Sequence, residues 1–339
     1  MIEPSDFAAN LPQSPAPYKV LALYKFADLA DCAALKPELA LFCCARNIRG
    51  TFILAPEGIN GTVAGAPEAI DDLTAWFETA ALWAGRLAGA EAKFSGAATM
   101  PFHRMRVRLK PEIVTLRAPE ANPALRVGTY VEPADWNRLI SANDVTVIDT
   151  RNAYEVRLGS FDKARDPGTA SFSAFKDYVA TLDPARHPKV AMFCTGGIRC
   201  EKASSYMLAQ GFEQVFHLKG GILKYLEAVP GGESRFHGEC FVFDERVSLT
   251  HGLVEGEAVL CRACRNPFLP DQMVGPLCPA CAAASSDGVR ERERQIALAR
   301  ARGEAHLGDD AAEAAARNRA RKLGQRRVRG LSGPHPVPL

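Results

Sequence analysis

The chain has 339 residues, 47% of them apolar, which is enough for two or three domains with a sizeable core. No apolar run approaches the roughly 20 residues that cross a bilayer, and the N-terminus lacks the basic-then-apolar pattern of a secretory signal. We therefore expect a cytoplasmic protein without a membrane partner. The formal net charge of +2 predicts no particular partner by itself.

An α+β domain is predicted over residues 18–117, after a loose N-terminal segment (1–17) and before a linker (118–126). Apolar positions that alternate indicate strands, and apolar positions three or four apart indicate helices. In chain order these patterns give a strand at 18–26, a helix at 29–47, two strands within 49–65, a helix at 66–82 and strand character over 104–116. The order βαββαβ predicts a ferredoxin-like domain.

A second unit, of α/β type, is predicted over residues 127–235. Three apolar strands alternate with helices, which indicates a mainly parallel sheet. The strands are predicted at 145–149, 189–194 and 214–218, and the helices at 132–140, 173–182, 201–211 and 219–229. Ligands of such sheets bind at the carboxyl ends of the strands, and Cys194 stands at one of these ends.

The remainder divides into a strand with a four-cysteine segment, 236–284, and a basic helical or disordered tail, 285–339. Residues 290–329 hold twelve basic and six acidic side chains, so the tail either contacts RNA or is a solvated appendage.

The stretch "CTGGIRC" carries the first chemical signal. Cys194 is followed by a turn of Thr195, Gly196, Gly197 and Ile198, then by Arg199 at the start of a predicted helix. Successive backbone N–H groups and a helix N-terminus stabilise a thiolate, and Arg199 offers a fork of donors. The spacing C-x4-R is one residue shorter than the phosphate-binding C-x5-R loop, which favours a smaller species such as a persulfide sulfur.

Two alternatives stay open at this loop. Cys194 is either a working nucleophile or a buried cysteine at a strand end. Cys200 either resolves a disulfide or persulfide with Cys194 or packs against the sheet.

Six long motifs identify the chain more specifically. They resemble the bacterial rhodanese-domain tRNA uridine(34) hydroxylases over roughly residues 18–282. The motifs are "LAPEGINGTVAG" (54–65), "PFHRMRVRLKPEIVTL" (101–116), "DTRNAYEVRLGSF" (149–161), "FCTGGIRCEKASSYMLAQGF" (193–212), "VFHLKGGILKYLE" (215–227) and "GECFVFDERVSL" (238–249).

The resemblance implies oxygen-dependent conversion of the wobble uridine of certain tRNAs to 5-hydroxyuridine. Cys194 matches the family's active-site cysteine, which is usually described as a persulfide. Molecular oxygen is then a co-substrate and tRNA the partner, while the electron or sulfur donor is not specified. The sequence carries no haem, flavin or nicotinamide signature. Either a Cys194 thiolate adds to C6 of uracil, or a persulfide or sulfenic acid on Cys194 takes part in oxygen transfer.

Two other functions fit the same loop. A rhodanese-type sulfurtransferase would load sulfur onto Cys194, in one version for tRNA thiolation. The second alternative is a non-catalytic module that binds RNA or protein. The presence of both Cys194 and Arg199 weighs against it, because such a module would not need them together.

Several residues are predicted to support or surround the site. Asp149 and Arg151 lie at the end of a buried strand, and the resemblance implies that such an Asp holds the neighbouring architecture together, with direct catalysis as the alternative. Lys219 is expected either to contact a phosphate or to be solvated. Tyr24 is either an ordinary strand residue or one that stacks on a base.

The strand at 103–110 alternates cationic and apolar residues. Its cationic side predicts a row of phosphate contacts, with a charge-protected edge strand as the alternative. The row consists of Arg104, Arg106, Arg108 and Lys110.

Four of the ten cysteines form two CxxC pairs separated by thirteen residues. In a reducing compartment this spacing predicts a closed tetrahedral zinc site that stabilises the fold and does not catalyse. The four predicted ligands are Cys261, Cys264, Cys278 and Cys281.

Overall fold

A computed structural model describes residues 16–284, and it begins with a five-stranded sheet in the order β4-β1-β3-β2-β5. All neighbouring strands are antiparallel except β2 and β5, which are parallel. The elements are β1 (Tyr18–Phe26), α1 (Cys32–Ala45), β2 (Arg49–Ala55), β3 (Gly58–Gly65), α2 (Pro67–Thr79), β4 (Glu91–Ala97) and β5 (Met105–Leu109).

Side-chain alternation along β1 gives the N-terminal sheet two different faces. Leu21 and Leu23 point to the side covered by α1 and α2 and are buried in an apolar core with Phe52. Ala22 and Tyr24 point to the other side, which faces the rest of the chain. The helix-covered face supplies the hydrophobic stabilisation, so the opposite face is free to carry polar groups.

One part of the predicted order differs from the structure. The strand that completes the βαββαβ unit is β4, which pairs with β1, whereas the predicted last strand is β5, an added edge strand beside β2. The segment Glu91–Ala97 has small or polar residues where an ordinary strand has large apolar ones, so its sequence gives little strand signal.

The second sheet has four parallel strands in the order β6-β10-β9-β7. Short antiparallel strands β8 and β11 lie outside it. The elements are β6 (Thr129–Val131), α3 (Pro133–Ser141), β7 (Val145–Asp149), α4 (Ala153–Val156), β8 (Gly159–Phe161), α5 (Phe175–Val179), β9 (Lys189–Phe193), α6 (Ile198–Ala209), β10 (Gln214–Leu218), α7 (Gly221–Ala228) and β11 (Phe236–Gly238).

Strand β9 is buried on both sides, as a central parallel strand requires. Val190 and Met192 pack with α5 and α6, while Ala191 and Phe193 pack with α3 and α7. The strand therefore holds Cys194, which follows it directly, at a fixed position between two apolar layers.

The C-terminal part of the described chain is built from short elements that pack on both domains. Asp244 holds the guanidinium of Arg246, which donates to Ser95 Oγ at 2.7 Å and to the Gly96 carbonyl at 3.1 Å on the N-terminal sheet. The elements are β12 (Cys240–Phe241), β13 (Ser248–Leu249), β14 (Val259–Leu260), β15 (Pro267–Phe268) and α8 (Pro279–Ala283).

No helix within residues 16–284 is long and apolar enough to cross a membrane. The predictions for the loose N-terminal segment, apart from its last two residues, and for the basic tail after residue 284 lie outside the described residues.

Candidate active site

The sulfur of Cys194 lies at the carboxyl end of β9, fully buried in a turn closed by backbone hydrogen bonds. The Gly197 N–H donates to Cys194 Sγ at 3.1 Å. Gly197 has φ +105°, a conformation that favours glycine, and it lets this N–H turn back toward the sulfur. The N–H of Ile222, on the next helix, donates to the Cys194 carbonyl at 2.9 Å.

The surroundings of Cys194 stabilise its thiolate. Burial by itself raises the pKa of Cys194, but the Cys200 thiol, the charge of Arg199 and the N–H groups of Cys200 and Gly197 lower that pKa to about 5. Burial and the neighbouring thiolate raise the pKa of Cys200 well above its usual value. The pair therefore consists of a Cys194 thiolate and a Cys200 thiol that donates to it.

Arg199 lies beside the thiolate, but its guanidinium fork points to a carboxylate. It donates to Glu155 at 2.7 and 2.8 Å and to Thr195 Oγ1 at 3.2 Å, and Arg199 and Glu155 are both buried. The fork of donors expected of Arg199 is therefore directed at Glu155 and not at the Cys194 sulfur. Glu155 takes those donors, and Arg199 contributes charge and fixes the loop.

The last residue of β7, Asp149, forms a buried ion pair with Arg151. Arg151 donates to both carboxylate oxygens of Asp149 at 2.6 to 3.2 Å and to the Gly159 carbonyl at 2.5 Å. Ser160 Oγ donates to the same carboxylate at 2.8 Å. These contacts stay within the loops around the site and agree with the architectural role that the resemblance implies for Asp149.

The open face of the N-terminal sheet covers this loop. The Tyr24 phenol donates to the Glu201 carboxylate at 2.8 Å, and a Cβ placed on Gly197 would lie 2.8 Å from the Tyr24 oxygen. Tyr130 is the second phenol bonded to Glu201. Burial raises the pKa of Glu201, and the nearby thiolate of Cys194 adds to that rise.

Strand β4 brings two charged side chains to the same face. Lys93 is 9% exposed, and its ammonium lies 3.5 Å from the Glu91 carboxylate and 5.5 Å from the centre of the Tyr24 ring. Burial lowers the pKa of Lys93, whereas Glu91 and Cys194 raise it. None of the motifs above marks Lys93, Glu91 or Glu201 as a site residue. The one sequence trace of the two β4 residues is that polar residues occupy alternate positions 91, 93 and 95, and this trace does not indicate that their side of the strand is the buried one.

The edge of the site carries two lysines that share one acid. Lys219 Nζ donates to Glu132 at 2.6 Å, and Lys224 Nζ donates to its other oxygen at 3.0 Å. Both lysine side chains are partly exposed. Lys219 thus lies near the site in an ion pair, and either lysine retains donors for a phosphate.

A buried lysine joins the two domains beside the site. Lys202 Nζ lies 2.8 and 2.9 Å from the Glu57 oxygens, 2.5 Å from Glu112 Oε2 and 3.1 Å from the Val114 carbonyl. A cavity of about 610 Å³ borders this cluster and is also lined by Phe26.

The predicted basic row lies on and beside edge strand β5. Met105 and Val107 pack on the N-terminal core, whereas Arg106 and Arg108 are exposed. Burial and the charges of Arg104 and Arg108 lower the pKa of Arg106, so the guanidinium groups lie within electrostatic reach of one another. Arg104 and Lys110 are half-buried.

The four cysteines of the C-terminal segment converge, with all Sγ atoms within 4.8 Å of one another. The Cys278 N–H donates to Cys261 Sγ at 3.3 Å, a contact that favours the thiolate. Burial raises the pKa of Cys261, but backbone N–H groups, that of Cys278 foremost, lower it to about 6. Four convergent thiols with N–H donors fit a tetrahedral metal site with sulfur ligands.

Comparison with known protein families divides the chain as the fold does. Residues 18–113 match the family described as a UPF0176 acylphosphatase-like domain, and residues 132–228 match the rhodanese-like domain. The chain is therefore a rhodanese-like protein with an acylphosphatase-like N-terminal domain, which confirms the predicted fold class.

Full-length relatives identify the family. The protein of Mesorhizobium japonicum named tRNA uridine(34) hydroxylase is 55% identical over 310 residues, covering 88% of this chain and 99% of its own. Proteins of the same name from Nitrobacter hamburgensis and Caulobacter vibrioides are 59% and 50% identical, covering 70% and 86% of this chain and 93% and 97% of their own. The chain belongs to the tRNA uridine(34) hydroxylase family, as its motifs predict.

Proposed function

We propose that this protein hydroxylates C5 of the wobble uridine of tRNA in an oxygen-dependent reaction, with Cys194 as the reacting sulfur. The observation that carries the proposal is the buried Cys194 thiolate held between a rhodanese loop and a polar sheet face, in a chain of this family. A buried, activated nucleophile beneath a polar face fits chemistry on a base taken out of its stack. A tRNA substrate and reduced cysteines also fit the cytoplasm.

The thiolate gives one route to reaction at C5. Cys194 Sγ adds to C6 of uracil, and the electron pair of the C5–C6 double bond moves to C5 and O4. C5 then takes one oxygen atom from O2, and the second leaves as water with two electrons from a reductant and two protons. Loss of the C5 proton and cleavage of the C–S bond restore the ring and the Cys194 thiolate.

The second route uses an oxidised or persulfidated Cys194 in the oxygen transfer. The Cys200 thiol beside Cys194 suits this route, because a neighbouring thiol reduces such a species through a disulfide. Both routes require the Cys194 sulfur, so one substitution tests both.

The basic row and Lys219 would bind the RNA. Arg106 and Arg108 present exposed charge on β5, the half-buried Arg104 and Lys110 extend that row, and Lys219 lies near the reacting sulfur. Phosphate contacts of this kind position the RNA without reading its sequence.

The four-cysteine cluster would hold structural zinc. Its ligands would be Cys261, Cys264, Cys278 and Cys281, and a closed set of four thiolates stabilises a fold without an open position for chemistry.

The test is nucleoside mass spectrometry of tRNA from a strain that lacks this family. Complementation with the wild type is expected to restore 5-hydroxyuridine or its derivatives, whereas Cys194→Ala is expected to restore none. Cys44→Ala, which removes an exposed cysteine, is the matched control and is expected to restore it. Full restoration by Cys194→Ala would rule out both routes. A wild type that restores only thiolated uridine would establish the sulfurtransferase function.

A further inference from the structure

The face that covers Cys194 contains a buried charge with unusually few partners. Among the described residues, the ammonium of Lys93 has one carboxylate neighbour, Glu91, at the long distance of 3.5 Å. An ammonium has three N–H donors, so with one distant carboxylate Lys93 retains donors for a further acceptor.

Lys202 shows how this chain pairs a lysine that has a structural role. It is 1% exposed against 9% for Lys93, and it contacts Glu57, Glu112 and the Val114 carbonyl, all within 3.1 Å. Lys93 therefore lacks the acceptors that a structural lysine has here. A nearly buried ammonium with donors to spare, on the face that covers Cys194, is suited to bind the acceptor of a ligand.

The strand register places a donor beside an acceptor. Glu91 and Lys93 are two residues apart on β4, so they share one face, and they pair with Tyr24 and Ala22 of β1. Ala22 contributes only a methyl group opposite Lys93, and the Tyr24 ring lies alongside the ammonium. The face thus offers a donor-only group, an acceptor-only group and an aromatic ring next to one another.

This arrangement matches one nucleobase edge and opposes another. Uracil presents the O4 acceptor beside the N3–H donor on its Watson–Crick edge, whereas cytosine presents an N4 amino donor beside the N3 acceptor. We propose that Lys93 and Glu91 form the base-selecting pair of the site, with the Lys93 ammonium donating to uracil O4 and the Glu91 carboxylate accepting from N3–H. This inference rests on the proposed function and names how the site tells uridine from cytidine.

The partly exposed side chains around Lys93 mark the path by which a base would enter the site. The Glu91 side chain is 28% exposed, whereas Lys93 beneath it is nearly enclosed. Lys219 and Lys224, at the edge of the site, are partly exposed and suit the flanking phosphates. A base that enters past Glu91 reaches the Lys93 ammonium, which lies over the Tyr24 ring.

The test uses the full-length chain and anticodon stem-loop RNAs that differ only in U or C at position 34. Dissociation constants are measured by fluorescence anisotropy in the Cys194→Ser background, which prevents turnover. That protein is expected to prefer the U34 RNA by on the order of ten- to a hundredfold. Adding Lys93→Met is expected to abolish the preference for U34, and adding Lys93→Arg is expected to retain part of it. Adding Glu91→Gln is expected to reduce the preference, since an amide both donates and accepts hydrogen bonds.

Lys25→Met is the matched control. Lys25 lies on the other face of β1, where its ammonium donates to the Gly89 carbonyl, so its loss removes the same charge from the same sheet. Lys25→Met is expected to weaken the binding of the U34 and C34 RNAs by the same factor. A folded Lys93→Met protein, with an unchanged melting temperature and an unchanged U-to-C ratio, would overturn the inference. If Lys93→Met does not fold, Lys93→Arg and Glu91→Gln decide in its place, and unchanged ratios in both reject the pair.

A parallel assay separates this inference from the proposed function. The wild type is incubated with the U34 RNA and a reductant under oxygen, and nucleosides are measured. Product formed by the wild type, together with a U-to-C ratio that none of the variants moves, would reject the base-selecting pair alone. Absence of product and of any preference for U34 would reject the proposed function and the inference together.

Discussion

The Tyr24 phenol of the N-terminal sheet donates a 2.8 Å hydrogen bond to Glu201 on α6, seven residues after Cys194. Both residues are buried, so the bond joins the two domains directly above the reacting loop. The N-terminal domain is therefore part of the candidate active site as well as a candidate RNA-binding module.

Tyr24→Phe removes this bond and leaves the buried Glu201 with one phenol partner fewer. We expect the free energy of unfolding to fall by about 1–3 kcal/mol, measured by urea denaturation, and product formation to fall with it. Tyr18→Phe is the control, because the Tyr18 hydroxyl makes no hydrogen bond with the described part of the chain. Equal stability of the two variants would contradict the interdomain role of Tyr24.

The lowered pKa of Cys194 predicts an acid limit on activity. Its usual value of 9.0 falls to about 5, so the thiolate is present above that pH and disappears as the pH falls through it. The ultraviolet thiolate absorbance of the wild type minus that of Cys194→Ala is expected to fall with a midpoint near 5, and product formation to fall with it. Cys200→Ala removes a donor and is expected to raise the midpoint. A wild-type midpoint near 9 would contradict the predicted thiolate.

Lys202→Met tests the lysine that joins the domains. The change leaves Glu57 and Glu112 facing each other without their shared cation, so we expect a loss of about 3 kcal/mol in unfolding free energy. Urea denaturation measures it, with the exposed Lys36→Met as the matched control. Adding Glu57→Gln to Lys202→Met is expected to recover part of the loss. No recovery would show that the loss comes from packing and not from the carboxylates.

The rhodanese loop was predictable because its signals are local. An apolar strand, a cysteine, two glycines and a helix start follow one another in the sequence, and the structure has them in that order. The four cysteines were predictable for the same reason, since two CxxC pairs bring four sulfurs together in a short segment.

The part of the site that the N-terminal sheet contributes was not predictable, because it depends on contacts between residues far apart in the sequence. Tyr24 and Glu201 are 177 positions apart, and only the docking of the sheet on α6 brings them together. On β4 the usual alternation is inverted. Lys93 is buried and Phe94 is 39% exposed, so a hydrophobic pattern does not reveal the strand or its inward face.

Cys278→Ser tests the metal site in the C-terminal segment. A closed four-thiolate site holds about one zinc per chain, so the wild type is expected to contain that amount by plasma mass spectrometry and the variant little or none. Loss of the metal is expected to lower the melting temperature. Cys240→Ser, a buried cysteine outside the cluster, is the control and is expected to keep its zinc. A metal-free wild type purified without chelator would contradict the zinc proposal.

The exposed guanidinium groups of β5 predict a specific dependence of tRNA binding on salt. Each phosphate that a cation neutralises releases counterions, so the slope of log K against log salt measures how many phosphates the protein binds. Substituting both Arg106 and Arg108 with Ala is expected to reduce that slope by about one unit for each phosphate that is no longer neutralised. The same change is expected to weaken the binding of all tRNAs to the same extent. Arg138→Ala removes an exposed arginine from α3 and is expected to leave the slope unchanged. If the double variant keeps the wild-type slope, β5 is an edge strand protected by charge, and the RNA lies elsewhere.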